Sequence, residues 1–396
     1  MKAGQPCTRK KSHKFDKHTT KHKAKMKSKT IKAPKISMEW VDVPKTEDVP
    51  KTEDTDDKNP EKSMSSAPSE LDLVFVVDNT GSMGSWIRSA QENVQKIIRD
   101  IVAVEETNVR FALVSYRDHP PQDKSFVTQT HDFTSNISNM QKWVDQMRAD
   151  GGGDFPEAVA AALYDADNLS YRPNSTKVCI LIADAPPHGL GCAGDGFPDG
   201  CPLGHDPLQI TRSMAAKGIT IYSVICGNFE GQAFYQGVAQ MTGGQYIPIS
   251  SAHLLAGVIV GGAQEEISLE KLMQDAQNTV IAEEEAAGQA LDEDELAAKV
   301  QNMFRKKGGA GIRKIQFGGA DLPDFEDCAS HFTKGSSLAD VRKTKNKGHL
   351  AFGRYGAGID SAPAMDEATF TTTDLASAPS YAQCKRMVYK SKARKK

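Results

Sequence analysis

The chain has 396 residues, a formal charge of -2 and 39% hydrophobic residues. That length suits one globular domain with extensions better than two full domains. It holds no apolar run of about 18 residues to span a membrane, and Met1–Lys11 passes straight into lysines without the apolar stretch of a signal peptide. Seven scattered cysteines, an odd number, fit a reducing compartment. The expected location is the cytoplasm, with the nucleus as second choice.

The near-zero charge hides an asymmetry. Lysine and histidine dominate the first 35 residues, as in Arg9–Lys14 and Lys21–Lys29. The chain then turns acidic through a tandem hexapeptide, Val43–Asp48 and Val49–Asp54. Neither part has enough apolar side chains to offset the entropy of ordering, so residues 1–67 are expected to be disordered.

The first element is the most informative. In Leu71-Asp-Leu-Val-Phe-Val-Val-Asp78-Asn-Thr80-Gly-Ser82-Met, a continuous apolar run reads as a strand buried on both faces. Asp78, Thr80 and Ser82 then fall on the loop at its carboxyl end, where open α/β sheets place their ligand sites. One carboxylate and two hydroxyls can converge on a hard cation such as Mg2+. Val109–Tyr116 is the next strand candidate, followed by a sharp turn, Arg117-Asp-His-Pro-Pro121. A helix is expected from about Ser138 to Arg148, then a glycine run, Gly151-Gly-Gly-Asp154-Phe-Pro-Glu157, and a helix through Ala158–Leu163. Lys177–Asp184 repeats the opening grammar of an apolar strand ending in aspartate, and Ile219–Ile225 and Gln245–Ile249 supply two more strands. Cys179 and Cys226 sit within strand-like runs as small core residues. Strands alternating with helices imply an α/β fold, a parallel sheet covered on both faces.

Further on, Glu265–Ala276 has apolar positions at helical spacing, so one face can pack on the domain. Asp292–Phe304 opens with acids and runs into Arg305-Lys-Lys307, complementing the helix dipole, and Gly308-Gly309 stops it. Beyond Gly311 apolar periodicity is poor and no chemistry is assigned. Gly353-Arg-Tyr-Gly356-Ala-Gly358 lacks the flanking strand and helix of a phosphate loop and reads as a turn. The closing Lys385-Arg386 and Lys390–Lys396 read as a basic tail. Two readings stay open for the basic arms at both ends. They bind RNA, DNA or an acidic membrane surface, or act as import signals; or they are solvated tails folding back on acidic stretches.

The loop after Lys177–Asp184 carries His188-x3-Cys192-x8-Cys201-x3-His205 in a Gly/Pro-rich stretch. Two imidazoles and two thiolates suit tetrahedral Zn2+, and a long loop gains from such a clip, although the spacing is not a standard zinc pattern. The alternatives are a His188 that hydrogen-bonds near the Asp184 loop, a His205 at the following helix cap, and a Cys192–Cys201 disulfide.

Asp78-x-Thr80-x-Ser82 resembles the first metal-binding motif of von Willebrand factor A domains, and the order of elements over roughly residues 70–260 is similar to theirs. The resemblance implies a Rossmann-like, doubly wound sheet with a metal-ion-dependent adhesion site at its carboxyl edge. That site takes Mg2+, Mn2+ or Ca2+ and leaves an open position for an oxygen from a partner protein. Matched residue by residue, Asp78, Thr80 and Ser82 correspond to the first metal loop and Asp184 to the third. The second loop departs from the pattern. The family usually places a threonine after the glycines, and here Asp154 stands there, with Glu157 as a substitute. Two aspartates neutralise a divalent cation, whereas three leave its shell negative and weaken its pull on an acidic partner. Asp154 could instead contact the metal through water or cap the helix near Pro156. The plain alternative for the whole set is a group of strand-end turn residues that bind nothing tightly.

Asp78-Asn-Thr-Gly-Ser82 also resembles the phosphorylation loop of P-type ATPases, and Gly194-Asp-Gly-Phe-Pro-Asp199 imitates their second acidic motif. Asn79 stands where a lysine would draw in phosphate, and a glycine-rich loop rather than an apolar strand precedes Asp195. Phosphotransfer is therefore not expected. Tyr116–Asp123, Gly151–Ala158, Ala183–Gly189 and the stretch Gln264–Phe304 resemble the intracellular branch whose A domain is joined to an alpha-kinase in some protists and fungi. Only about ninety residues follow the helices here, too few for a kinase catalytic domain.

The expected organisation is a basic-then-acidic arm at 1–67, an A domain at 68–262 and a helical extension at 263–307. A poorly defined extension follows at 308–384, then a basic tail at 385–396. The expected function is divalent-cation-dependent protein binding with no catalytic residues. The alternatives are a nucleic-acid-associated protein that uses its basic arms and a regulatory relative of the alpha-kinases.

Overall fold

The computed structural model describes residues 70–103, 107–308, 312–317, 320–321, 329–344, 371–375 and 378–395. The arm at 1–67 and the Gly353–Gly358 turn lie outside these residues. In chain order the elements are β1 (Glu70–Asp78), α1 (Gly84–Val102), β2 (Asn108–Tyr116), β3 (Thr128–Thr134), α2 (Ile137–Gln146), α3 (Val159–Asp167) and β4 (Thr176–Ala183). Next come α4 (Pro207–Ala216), β5 (Ile219–Cys226), α5 (Gln232–Thr242), β6 (Tyr246–Ile249) and α6 (Leu255–Glu270).

These strands form one sheet in the order β3-β2-β1-β4-β5-β6. All neighbours pair in parallel except β3, which lies antiparallel on β2. The sheet is therefore mostly parallel with helices on both faces, as the strand–helix alternation predicts. The sequence reading passes over β3, because its residues are polar and half-buried or exposed. An edge position tolerates such a strand.

Alternation along β1 divides the core. Val74 and Val76 pack with Val159, Leu163, Leu208 and Phe234 on one face. Leu73, Phe75 and Val77 pack with Ile98, Val144 and Ile259 on the other. Each such side chain contributes about 1.5–3 kcal/mol by leaving water, so the central strands are rigid supports for the loops at their ends.

The expected boundary at 262/263 falls inside α6, whose residues Leu255–Leu269 are almost all buried. Beyond it α7 (Met273–Ala287) and α8 (Glu293–Lys307) share a third apolar cluster that includes Leu269, Val280, Val300 and Phe304. The acids at the start of α8 and the Arg305–Lys307 end are as expected. Asp292 accepts the Asp294 N–H at 2.8 Å, and Gly308 closes the helix at φ 90°, a conformation glycine adopts without strain.

The region 308–384 contributes more than the sequence suggests. A small antiparallel sheet comprises β7 (Ile312–Phe317), β8 (Ala320–Asp321) and β9 (Thr371–Leu375). Short helices α9 (Ser330–Lys334) and α10 (Leu338–Thr344) add Phe332, Leu338 and Val341 to the main core.

The expected basic tail is corrected by α11 (Tyr381–Arg394). Ser380 and Gln383 form a reciprocal capping box at its start, and Cys384, Met387 and Val388 join the third cluster. Arg386 and Lys390 are buried. The Arg386 guanidinium pairs with Glu265 at 2.9 Å and Glu266 at 3.1 Å. Lys390 pairs with Glu266, and Arg394 grips Glu270 through two bonds of 2.7 and 2.9 Å. The tail does fold back on acidic residues, but as a packed helix rather than a solvated arm. Among the described residues no helix is long and apolar enough to cross a membrane.

Candidate metal centre at the carboxyl edge

Parallel pairing brings three strand ends to one edge. Asp78 pairs with Tyr116 across β1–β2, and Val77 with Ile182 across β1–β4. Asp78, Asp118 and Asp184 therefore leave the sheet at nearly the same level on adjacent strands. The Arg117 guanidinium supports the first loop from below, donating to the Asn79 carbonyl at 3.1 Å and the Arg148 carbonyl at 2.7 Å. The glycine run lies against this loop, with Gly81 N–H donating to the Gly151 carbonyl at 3.3 Å. Gly151 sits at φ +77°, and a Cβ there would fall 1.8 Å from Asp123 Oδ2. Only glycine allows that approach.

In the first loop Asp78 is wholly buried. Its Oδ1 accepts the Thr80 N–H at 2.9 Å and the Thr80 hydroxyl at 2.6 Å. Thr80 Oγ1 lies 3.2 Å from Ser82 Oγ, and the Ser82 side chain lies beside Asp184 and offsets part of the rise that burial gives its carboxyl. Asp78 Oδ2 and Asp184 Oδ1 are enclosed without any hydrogen-bond partner. Burial, then the charge of Asp184, pushes the Asp78 carboxyl up to about 7, and burial raises Asp184 as well. An oxygen-only donor set with two orphaned carboxylate oxygens fits a hard divalent cation. Ser82 is exposed, so the centre opens to solvent on that side.

The second-loop residues divide. Glu157 Oε1 and the Thr80 side chain both border Gly152, and Glu157 Oε2 has no partner. Burial and the nearby charges of Asp78, Asp118, Asp154 and Asp184 push Glu157 up to about 10. Asp154 turns elsewhere. Its Oδ2 accepts the Gly196 N–H, and burial, then the Asp118 carboxyl lying against it, raises its pKa. It does not cap the following helix, whose start at Ala158 has no side-chain cap.

Asp118 is the residue that sequence reasoning missed. It comes just after β2, as Asp78 ends β1 and Asp184 follows β4, so the repeated strand–aspartate grammar was the signal, hidden by the one intervening residue, Arg117. Asp118 is fully buried, and its Oδ1 lies 2.6 Å from His188 Nε2. His188 Nδ1 lies 2.7 Å from Asp195 Oδ1. Burial disfavours this imidazolium, but the bonds to Asp118 and Asp195 outweigh that and lift its pKa to about 9.

The four residues suggested for Zn2+ by spacing have separate surroundings. His188 is held by the two aspartates, Cys192 is buried in the main core, Cys201 Sγ approaches His119 Nε2 at 3.4 Å, and the His205 ring stacks on Tyr164 at 4.0 Å. Asp206, not His205, caps α4, accepting the Leu208 N–H at 3.0 Å. Cys192 and Cys201 are free thiols. Arg342 of α10 fastens the same loop by donating to the carbonyls of Gly189 at 3.0 Å and Asp199 at 2.9 Å.

Comparison with known proteins places this edge in context. The family model for the von Willebrand factor type A domain matches residues 72–253. The chain is 31% identical over 190 residues to the ariadne-like RING finger protein R811 of Acanthamoeba polyphaga mimivirus, covering 46% of this chain and 18% of that protein. It is 30% identical over 156 residues to the alpha-protein kinase vwkA of Dictyostelium discoideum, covering 38% and 24%. The chain thus spans at most about a quarter of these relatives' length. Among solved structures, the von Willebrand factor type A protein from Catenulispora acidiphila is 15% identical with a TM-score of 0.39, covering 51% of this chain and 43% of that one. Proximal thread matrix protein 1 from the mussel byssus is 12% identical with a TM-score of 0.36, covering 50% and 47%.

Proposed function

From the premise that residues 72–253 are a von Willebrand factor type A domain, we propose that the chain is a protein-binding module that presents a divalent cation to its partner. Asp78, Thr80, Ser82 and Asp184 hold the ion, Mg2+ or alternatively Mn2+ or Ca2+, and the partner supplies an oxygen to the open position beside Ser82. One observation carries this reading: Asp78 Oδ2 and Asp184 Oδ1 are enclosed, unpartnered and grouped with two hydroxyls. Buried carboxylates left this way are costly unless a cation completes them. Glu157 borders Gly152 together with Thr80, whereas Asp154 turns to Gly196 and Asp118, which favours Glu157 for this ion.

The two curated relatives share only part of their length with this chain and carry different names. That a kinase and a RING finger protein each match only part of this chain supports a recruiting module over either activity. The nucleic-acid alternative loses its carboxyl-terminal arm, since Lys385, Arg386, Lys390, Lys392, Arg394 and Lys395 all face the chain's own acidic side chains.

The test is calorimetric and thermal titration of the full chain with Mg2+, Mn2+ and Ca2+, beside Asp78→Ala. Saturable binding that disappears in Asp78→Ala is the expected result. A folded wild type that binds none of the three ions would end this reading.

A further inference from the structure

We propose that Asp118, Asp154 and His188 form a second metal site, distinct from the Asp78–Asp184 centre, that takes Zn2+ or a similar imidazole-favouring divalent transition metal. One carboxylate oxygen from each aspartate and one ring nitrogen of His188 all lie within 4.8 Å of one another. Side-chain rotation that opens the 2.6 Å contact between His188 Nε2 and Asp118 Oδ1 and draws in Asp154 places the three donors about 2.0–2.2 Å from a single ion. The mixed nitrogen and oxygen donors separate this group from the oxygen-only set next to it, since imidazole favours zinc over magnesium.

Two further observations point to a ligand here. Asp118 is fully buried, yet no donor reaches its Oδ2 and none reaches Asp154 Oδ1; the two carboxyls lie against each other with no basic side chain between them. His188 is also oriented from behind: Asp195 Oδ1 holds Nδ1 at 2.7 Å, while Asp195 is itself fixed by the N–H groups of Gly189 and Phe197, each at 2.8 Å. A carboxylate on one ring nitrogen sets the other, Nε2, as the coordinating atom, the usual outer-shell arrangement of metal-binding histidines. Binding through Nε2 requires that nitrogen to give up its proton and its 2.6 Å contact with Asp118 Oδ1 to the ion. The His119 and Phe197 rings, at 5.9 and 4.9 Å from His188, cover the group.

Such an ion ties three segments together: the turn after β2 through Asp118, the glycine loop through Asp154, and the long β4–α4 loop through His188. Those segments border the Asp78–Asp184 centre, so occupancy of the second site sets the shape of the surface offered to a partner. The zinc site does not depend on whether that centre binds Mg2+.

The experiment uses the full chain, stripped with chelator and titrated with ZnCl2 by calorimetry, with Co2+ absorption as a spectroscopic reading of imidazole–carboxylate coordination. Folding of each metal-free variant is checked by circular dichroism. Asp154→Asn, at a partly exposed position that tolerates the change, and His188→Gln should each remove the tight zinc component of the wild type. Asp195→Asn should weaken it about 10–100-fold. Asp78→Asn should abolish Mg2+ binding and leave zinc binding within about threefold, a margin set by ordinary neighbour coupling. Loss of Mg2+ binding alone therefore counts against the proposed function and not against this site. Absence of tight zinc binding in the wild type overturns the site and leaves Asp118–His188–Asp195 as a structural ion pair. Zinc binding unchanged in folded Asp154→Asn and His188→Gln, but lost in Cys201→Ser, also overturns it.

Discussion

Two regions of this molecule bury several charges each, and they resolve them differently. Where α11 packs on α6, three carboxylates, Glu265, Glu266 and Glu270, meet three basic side chains, Arg386, Lys390 and Arg394. At the carboxyl edge of the sheet, Asp78, Asp118, Asp154, Glu157 and Asp184 crowd together, and among the described residues His188 is the only basic side chain paired with any of them. Each of these five acids retains a buried oxygen without a partner. Matched burial fastens an extension to a fold, whereas unmatched burial of acids is costly and concentrates at functional sites. On the proposed function, the first group fastens the fold and the second holds an ion.

The largest expected effect lies in the matched region. Arg386 also donates to the Gly243 carbonyl at 2.9 Å and to the Tyr222 hydroxyl at 2.6 Å, so Arg386→Met leaves Glu265 without a basic partner, Glu266 with Lys390 alone, and both acceptors without this donor. A loss of about 3–5 kcal/mol is expected, read by chemical denaturation. A double-mutant cycle with Glu265→Gln should show coupling of about 0.5–3 kcal/mol. An Arg386→Met protein as stable as wild type would remove the distinction drawn above.

A second matched group sharpens the comparison. Asp72, buried at the opposite end of β1, is held by Arg110 and Arg172, both at 2.8 Å, and by Ser175 at 2.9 Å. Burial alone would raise its carboxyl, but these hydrogen bonds prevail and hold it below the usual range. Its folded pKa is thus lower than its unfolded value of about 3.9. The stabilisation is present above that unfolded value and is lost as pH falls through the folded one. Asp72→Asn should cost about 2–3 kcal/mol at neutral pH, and the difference from wild type should shrink in acid melts below about pH 4.

At the unmatched edge the sign should invert. Asp78→Asn keeps the Oδ1 acceptor for Thr80 but removes one of the crowded negative charges. In chelator it should raise stability by about 1–2 kcal/mol at pH 8. With Mg2+ at a hundred times its dissociation constant, wild type gains about 2.7 kcal/mol, the variant gains nothing, and the order reverses. A variant less stable than wild type in both conditions would mean that the carboxylate serves the fold rather than an ion.

These two regions also differ in what a reader of the sequence can see. The core strands were legible because β1, β2, β4, β5 and β6 are apolar runs, whereas β3 is a polar edge strand with no period to detect. Asp78, Thr80 and Ser82 were legible as a local pattern, and Asp184 as the end of a second similar strand. Asp118 was not, because the turn beginning at Arg117 masked the grammar, and its partner His188 lies 70 residues further along the chain. The buried role of α11 was hidden for the same reason. Glu266 stands 120 residues before Arg386, so the closing segment read as a basic tail when only its local composition was considered. Local chemistry shows in sequence, but neutralisation by a distant partner does not.

The smallest predicted effect tests that last distinction directly. His188 and His205 are equally plausible zinc ligands by spacing, yet the structure gives them opposite surroundings. His188 is buried between two carboxylates, while His205 stacks flat on Tyr164, a ring 43% exposed. Losing a stacking contact at such a site costs about 0.5–1 kcal/mol. His205→Ala should therefore change stability by no more than that and leave zinc affinity unaltered by calorimetry, beside a His188→Gln protein that has lost it. A tenfold or larger loss in His205→Ala would reinstate the ligand set suggested by spacing, and the carboxylate environment of a histidine would no longer decide which one meets the metal.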